Sequence, residues 1–260
     1  MRALTFVRSA LYLVVLAVTV APWSFVVCAS IVTPVPVRYW LARCWTRFAI
    51  FAARAICGIR YHVEGWHNLP DEPAIVLCKH QSACETLWLP SAMPRELTFV
   101  YKKELNWVPF FGWGIASLQM ISINRGQGAD AFEQVVAQGT DRLARGWWIV
   151  IFPEGTRTPP GSLKRYKTGG ARLAVRTGAK IVPIAHNTGE VWPRRSFLKH
   201  PGAITISILP AIDPRGKSTD EVAAAVESAI EAQMRRLAPH RYNAPHEAVS
   251  PKAAARTASD

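Results

Sequence analysis

The sequence predicts an α/β protein with a mixed, largely central sheet flanked by helices, preceded by an N-terminal membrane-associated helical segment. Two observations carry that prediction. After residue 60, short apolar runs rich in β-branched residues alternate with longer stretches of helical periodicity, as expected of strands buried on both faces with helices between them. Before it, no charged residue occurs from Ser9 to Val37, a stretch longer than the roughly 20 apolar residues needed to cross a bilayer. The chain accordingly divides into membrane-embedded or interfacial helices over 1–58, an α/β domain over 59–238 and a disordered tail over 239–260.

In the first segment Pro22 is expected to divide the apolar run, and Pro34 and Pro36 to close it. Three roles fit it. A spanning or re-entrant membrane segment is favoured by length. A cleaved signal peptide would use Arg2 and Arg8 as its basic start and "VCA" at 27–29 as its small-residue site. A buried core helix is the third. In the next stretch, "RYWLARCWTRFAIFAARAICGIR", helical spacing puts Arg43, Arg47 and Arg54 on one stripe, with Trp45, Phe48, Ala52 and Ile56 on other, largely apolar sides. That distribution suits an anionic membrane interface; an ordinary amphipathic helix packed on the domain is the alternative.

Strands are expected at 60–64, 74–78, 97–101, 119–123, 148–152, 180–184 and 203–208. Helical patterns fall at about 84–92, 128–145, 167–178 and 219–237. The last opens on "STDE", a capping box with Ser218 at the N-cap and Glu221 three residues on. Pro183 lies inside the strand "KIVPI" and is expected to make it an edge or to place a bulge there. From Pro239 the composition is that of a disordered tail.

The 260 residues are half hydrophobic and carry a formal charge of +13, which points to an anionic partner: a membrane surface, a phosphorylated substrate or nucleic acid. Arginines at strand ends, without a recognisable RNA- or DNA-binding motif, argue against nucleic acid. The five cysteines are widely spaced, with no CxxC pair, which fits reduced thiols better than a disulfide framework. Neither His62 nor His67 has ligand spacing to them, so no metal site is expected.

Chemistry concentrates after the strands. In "KHQSACE", Lys79 to Glu85, His80 follows the strand "AIVLC". A helix beginning near Ala83 would let Glu85 fold back on the imidazole, leaving the other ring nitrogen free to accept a proton. By itself the spacing equally describes a strand-end histidine bonded to a loop carbonyl, with Glu85 as a helix N-terminal charge. Cys84 beside His80 could be a nucleophile, but Cys78 and Cys84 read better as small apolar packing residues. A second cluster, "WIVIFPEGTRTPPGS", runs from a strand into Glu154, Gly155, Thr156 and Arg157; Gly155 allows a tight turn and Arg157 offers a forked cation suited to phosphate. A third strand, "ISINR", ends at Arg125, and "YKKELNW" contributes Lys102 and Lys103.

Taken in order, these pieces resemble the glycerophospholipid acyltransferase family, most closely its bacterial 1-acyl-sn-glycerol-3-phosphate acyltransferase branch. The family's N-H-x4-D reads Lys79-His80-Gln81-Ser82-Ala83-Cys84-Glu85 here, its second motif ends at Arg125, Phe152 to Arg157 match F-P-E-G-T/S-R in full, and "IVPIA" is the fourth. The resemblance covers roughly residues 60–210 and departs from the family in Glu85 and Lys79. It implies acyl transfer from acyl-CoA or acyl carrier protein to a lysophospholipid hydroxyl, with His80 as base and Glu85 holding it. Arg125, Arg157 and Lys102 would take the acceptor's phosphate. Glu154, Gly155 and Thr156 would shape that pocket. No cofactor or metal is implied. It implies further an enzyme on the inner, cytoplasmic membrane with its catalytic domain facing the cytoplasm. The two departures leave open another lysolipid as acceptor. A non-catalytic membrane-binding protein on the same fold is the other alternative.

Overall fold

The computed structural model describes residues 2–108, 111–123 and 128–242. The chain opens with α1 (Arg2–Ala29), turns through a short 3-10 segment at Ser30–Val32 and returns along α2 (Val35–Cys57). The two helices run antiparallel: Tyr12 Oη donates to the Ala49 carbonyl at 3.2 Å, Trp45 Nε1 to Thr19 Oγ1 at 3.1 Å and Trp23 Nε1 to the Leu41 carbonyl at 2.8 Å. Contrary to the expectation, Pro22 does not divide the apolar segment; α1 runs through it. Pro34 and Pro36 act as helix starters rather than stops: Pro34 is the N-cap of α2 and Pro36 sits in its first turn, where a missing N–H leaves no bond unmade.

The hairpin leaves an apolar stripe uncovered. Leu4, Val7, Leu11, Val14, Val18 and Phe25 recur at helical spacing on α1, and Val37, Trp40, Phe48 and Phe51 on α2, all exposed. By length and composition α1 and its following turn can cross a membrane. The arginine stripe of α2 behaves differently from the expectation. Arg43 donates to the Met93 carbonyl, Arg47 Nε donates to the Ser91 carbonyl at 3.1 Å, and only Arg54 is free of such a contact and exposed. Both acceptors lie at the end of α3 (Cys84–Ala92), whose unpaired carbonyls carry partial negative charge. The stripe therefore joins the hairpin to the α/β domain.

All seven expected strands form: β1 (Ile59–Glu64), β2 (Ile75–Cys78), β3 (Leu97–Lys102), β4 (Ile121–Ile123), β5 (Trp148–Ile151), β6 (Ile181–His186) and β7 (Gly202–Ile208). They make one sheet in the order β1-β7-β6-β2-β5-β3-β4, parallel throughout except where β6 meets β7. The inner strands are apolar on both faces because both faces are covered. Val76 and Cys78 of β2 point with Val150 and Ile184 towards the hairpin and α3; Ile75 and Leu77 point with Ile149 and Ile181 towards the other layer. Short α4 (Phe111–Ser117) precedes β4, and that second layer holds α5 (Gly128–Ala144), α6 (Gly169–Thr177) and α8 (Thr219–Leu237). Ser218 and Glu221 form the expected capping box on α8.

Pro183 does not make β6 an edge, since β6 lies between β7 and β2. Its carbonyl accepts from the Leu209 amide at 2.9 Å, so its missing N–H faces the β7 side. There the pairing jumps from Ile184↔Ile208 to Ile181↔Ile212. One extra residue on the partner makes the bulge that tolerates a proline. The start of the expected tail is also ordered: α9 (Pro239–Tyr242) follows α8, and His240 Nε2 meets Glu190 Oε1 at 2.6 Å. The rest of that tail, 243–260, lies outside the described residues.

Candidate active site

β2 delivers the first candidate site residues to the carboxyl end of the sheet, where α/β folds place their chemistry. The His80 ring stacks on Phe152 from the end of β5, with centroids 3.9 Å apart and planes 15° from parallel. Its Nδ1 lies 2.8 Å from Glu85 Oε1. α3 begins at Cys84, so its first turn presents the Glu85 carboxylate back towards the loop. The same oxygen accepts from the backbone amides of Gln81 at 2.9 Å and Ser82 at 2.8 Å, and Oε2 accepts from Thr188 Oγ1 at 3.0 Å.

Glu85 is almost wholly buried. Burial alone would raise its pKa, but the His80 bond, the nearby His186 and the Ser82 amide outweigh it and hold the carboxyl below the ordinary carboxylate value. An ionised Glu85 accepts a hydrogen bond from Nδ1–H, which leaves Nε2 as the ring nitrogen able to accept a proton. The folded-state shift is downward. Glu85 therefore contributes stability that is full above an ordinary carboxylate pKa of about 4.3 and is lost as pH falls through the depressed value. Acid unfolding followed by circular dichroism is expected to be less steep in Glu85→Gln than in the parent. An unchanged acid limb would show that the carboxylate is not held this way.

The motif after β5 turns its residues two ways, Gly155 and Arg157 to a cavity and Glu154 inward. Gly155 adopts φ of +68°, and a Cβ there would press on the Lys167 side chain at 3.2 Å. Only glycine fits that turn without strain. Arg157 and Gly155 line a cavity of about 930 Å³ together with His80, Lys102 and Lys167. None of these three cationic side chains forms an ion pair among the described residues. The cavity continues past Thr86, Leu87 and Phe99 to Val20, Trp23 and Val27 on α1 and Tyr39 and Trp45 on α2. It is thus cationic and basic at one end and apolar along its length.

Two residues expected in that pocket are placed elsewhere. Thr156 is exposed and does not line the cavity. Glu154 is fully buried and turned inward. Its Oε1 accepts from the His80 amide at 3.3 Å and lies 3.2 Å from Lys79 Nζ. Burial raises its pKa, against the opposing charge of Lys79. Arg125 lies outside the described residues. Cys84 is fully buried, its Sγ 3.6 Å from Tyr61 Oη, and burial pushes its thiol far above the range in which a nucleophilic thiolate forms. It packs, as the sequence suggested.

Sequence reading gave no place around the site to six residues. Lys79 Nζ, fully buried, bridges Glu154 and Glu231 of α8, the latter at 2.5 Å, and Tyr166 Oη donates to the same Glu231 oxygen at 2.8 Å. His186 Nε2 contacts the Lys79 carbonyl at 2.6 Å, and burial lowers its pKa against the opposing pull of Glu85. Thr188 and Lys167 complete the set. The available signals were a carboxylate on the core face of α8 and the polar "HNT" at the end of an otherwise apolar strand.

A family model described as Acyltransferase matches residues 60–187. The 1-acyl-sn-glycerol-3-phosphate acyltransferase of Pseudomonas aeruginosa is 40% identical over 221 residues, covering 84% of this chain and 85% of that protein. The chain belongs to the acyltransferase family. The 1-acyl-sn-glycerol-3-phosphate acyltransferase alpha of Mus musculus is 29% identical over 186 residues, 70% of this chain and 65% of that one. The crystal structure of the 1-acyl-sn-glycerophosphate acyltransferase PlsC from Thermotoga maritima superposes with a TM-score of 0.76 at 23% identity, over 91% of this chain and 98% of that one, so this acyltransferase shares its fold.

Proposed function

We propose that this acyltransferase moves an acyl group from acyl-CoA or acyl carrier protein to the free hydroxyl of 1-acyl-sn-glycerol 3-phosphate, giving phosphatidic acid. The observation that carries the reading is the Glu85-held imidazole opening onto an apolar cavity beside Arg157, Lys102 and Lys167. His80 Nε2 removes the hydroxyl proton as that oxygen attacks the thioester carbonyl. The tetrahedral intermediate then collapses, the C–S bond breaks, and the leaving thiolate takes the proton back from the imidazolium. The acceptor is itself the nucleophile, so no acyl-enzyme forms. Arg157, Lys102 and Lys167 hold the phosphate, with Arg125 in the same role. The uncovered stripe of the helical hairpin sits in the bilayer, at the cytoplasmic face of the inner membrane, where both lipids reside.

The test is an acceptor panel with one labelled acyl donor and purified protein. Lysophosphatidic acid is expected to be acylated far faster than lysolipids with capped or missing phosphates. Equal rates across the panel would overturn the assignment. In the same assay Arg157→Ala is expected to raise the acceptor KM by about tenfold or more, the loss of one charge-assisted contact, while the donor KM moves much less. Equal effects on both substrates would remove Arg157 from the phosphate site.

A further inference from the structure

Beside the catalytic cavity lies a second, smaller cleft of about 430 Å³, between α1 and the segment after α7 (Thr188–Val191). Leu13 and Leu16 of α1 form one wall. Arg194, Arg195 and Lys199 form the other, and Arg157, Leu87 and Thr86 are shared with the catalytic cavity. Three features set it apart from an ordinary basic surface. Lys199 is almost completely buried, its ammonium donating to the Phe197 carbonyl at 2.8 Å and lying 5.5 Å from the Trp192 ring centre. Arg195 holds the left-handed backbone conformation, φ +56°, which a non-glycine residue adopts at some strain. Among the described residues none of Arg194, Arg195 and Lys199 has a carboxylate partner, although the chain pairs other cations, such as Lys180 with Glu72 and Arg176 with Glu133. Like charges held together without counter-charge favour an anionic ligand.

We propose that this cleft binds a phosphate of the acyl donor's carrier arm. The inference rests on the acyltransfer reading above, in which both substrates carry phosphate but must approach His80 separately. The cations lining the first cavity serve the acceptor. The second cleft adjoins that cavity across Thr86, Leu87 and Arg157, so an arm anchored by its phosphate at Arg194 and Arg195 can direct its thioester towards His80. The same phosphate chemistry exists in bilayer headgroups, and α1 in the wall makes that the rival source.

The experiment compares the parent with an Arg194→Ala/Arg195→Ala double variant on two donors: a long-chain acyl-CoA, and the matching acyl N-acetylcysteamine thioester, which has the thioester but no phosphate. For acyl-CoA the variant is expected to lose about tenfold or more in kcat/KM through a raised donor KM. For the truncated thioester parent and variant are expected to be equal, which also shows that the variant is folded and its acceptor site intact. Equal losses on both donors, or no loss on acyl-CoA, would overturn the proposal. So would a variant with full donor affinity that sediments less than the parent with vesicles containing anionic phospholipid but equally with phosphatidylcholine vesicles, since that assigns the cleft to headgroups. If the parent acylates no lysophosphatidic acid with either donor, the acyltransfer reading fails instead.

Discussion

Replacing His80 by alanine is expected to lower kcat for acyl transfer by about a hundredfold to ten-thousandfold, the usual contribution of a positioned general base, without unfolding the protein. The His80 side chain is still 13% exposed, and its packing is mostly one face against Phe152. Its removal takes away one stacking contact of about 0.5–1.5 kcal/mol and leaves Glu85 with three remaining donors, the Gln81 and Ser82 amides and the Thr188 hydroxyl. Thermal unfolding should therefore shift by a few degrees while turnover collapses. Near-normal turnover in His80→Ala would end the general-base mechanism, and a protein that no longer folds would place His80 in the scaffold.

The second large effect is expected at Lys79. Its ammonium lies between two carboxylates, Glu154 at 3.2 Å and Glu231 at 2.5 Å, and is entirely buried. Lys79→Met would remove the only cation in contact with them among the described residues. Breaking a buried ion pair from one side commonly destabilises by about 3–5 kcal/mol, because the partner charge is left without compensation. Denaturant unfolding should show a loss of this size. A triple variant that adds Glu154→Gln and Glu231→Gln should recover much of it, since neutral amides need no counter-charge. Activity should not recover in parallel: Glu154 Oε1 also accepts the His80 amide, and Thr158, whose amide donates to the His80 carbonyl at 2.8 Å, reaches the same carboxylate. The network thus ties α8, the loop after β5 and the loop after β2 into one support for His80. A Lys79→Met variant as stable as the parent would show that the carboxylates are protonated and the lysine is dispensable.

The seven strands were legible because buried strands repeat apolar residues on both faces, and that density survives in a one-dimensional reading. α8 was legible because its capping box is local chemistry. His80 and Glu85 were legible because five residues of sequence and one helical turn suffice to bring them together. The inward turn of Glu154 was not, because a strand-end glutamate has the same sequence signature whether it faces a ligand or a buried lysine. The arginines of α2 misled for a related reason. Helical spacing places Arg43 and Arg47 on one face but does not say that the carbonyls of Ser91 and Met93 will lie against it. Pro183 was half legible: a bulge was expected as one option, but the internal position of β6 depends on β7 arriving antiparallel from distant sequence.

From sequence alone followed an α/β domain behind an apolar helical segment, a histidine and a carboxylate in one loop, and cations placed to meet an anion. These depend on residue type, short spacing and period, all of them local. Only the tertiary structure decided which charges are solvated and which are buried against each other. It paired Lys79 with Glu154 and Glu231, brought Thr188 to Glu85 across more than a hundred residues, and left Arg194 and Arg195 without a carboxylate partner among the described residues. Electrostatic roles depend on distance and burial in space, and a chain carries neither until its elements have packed.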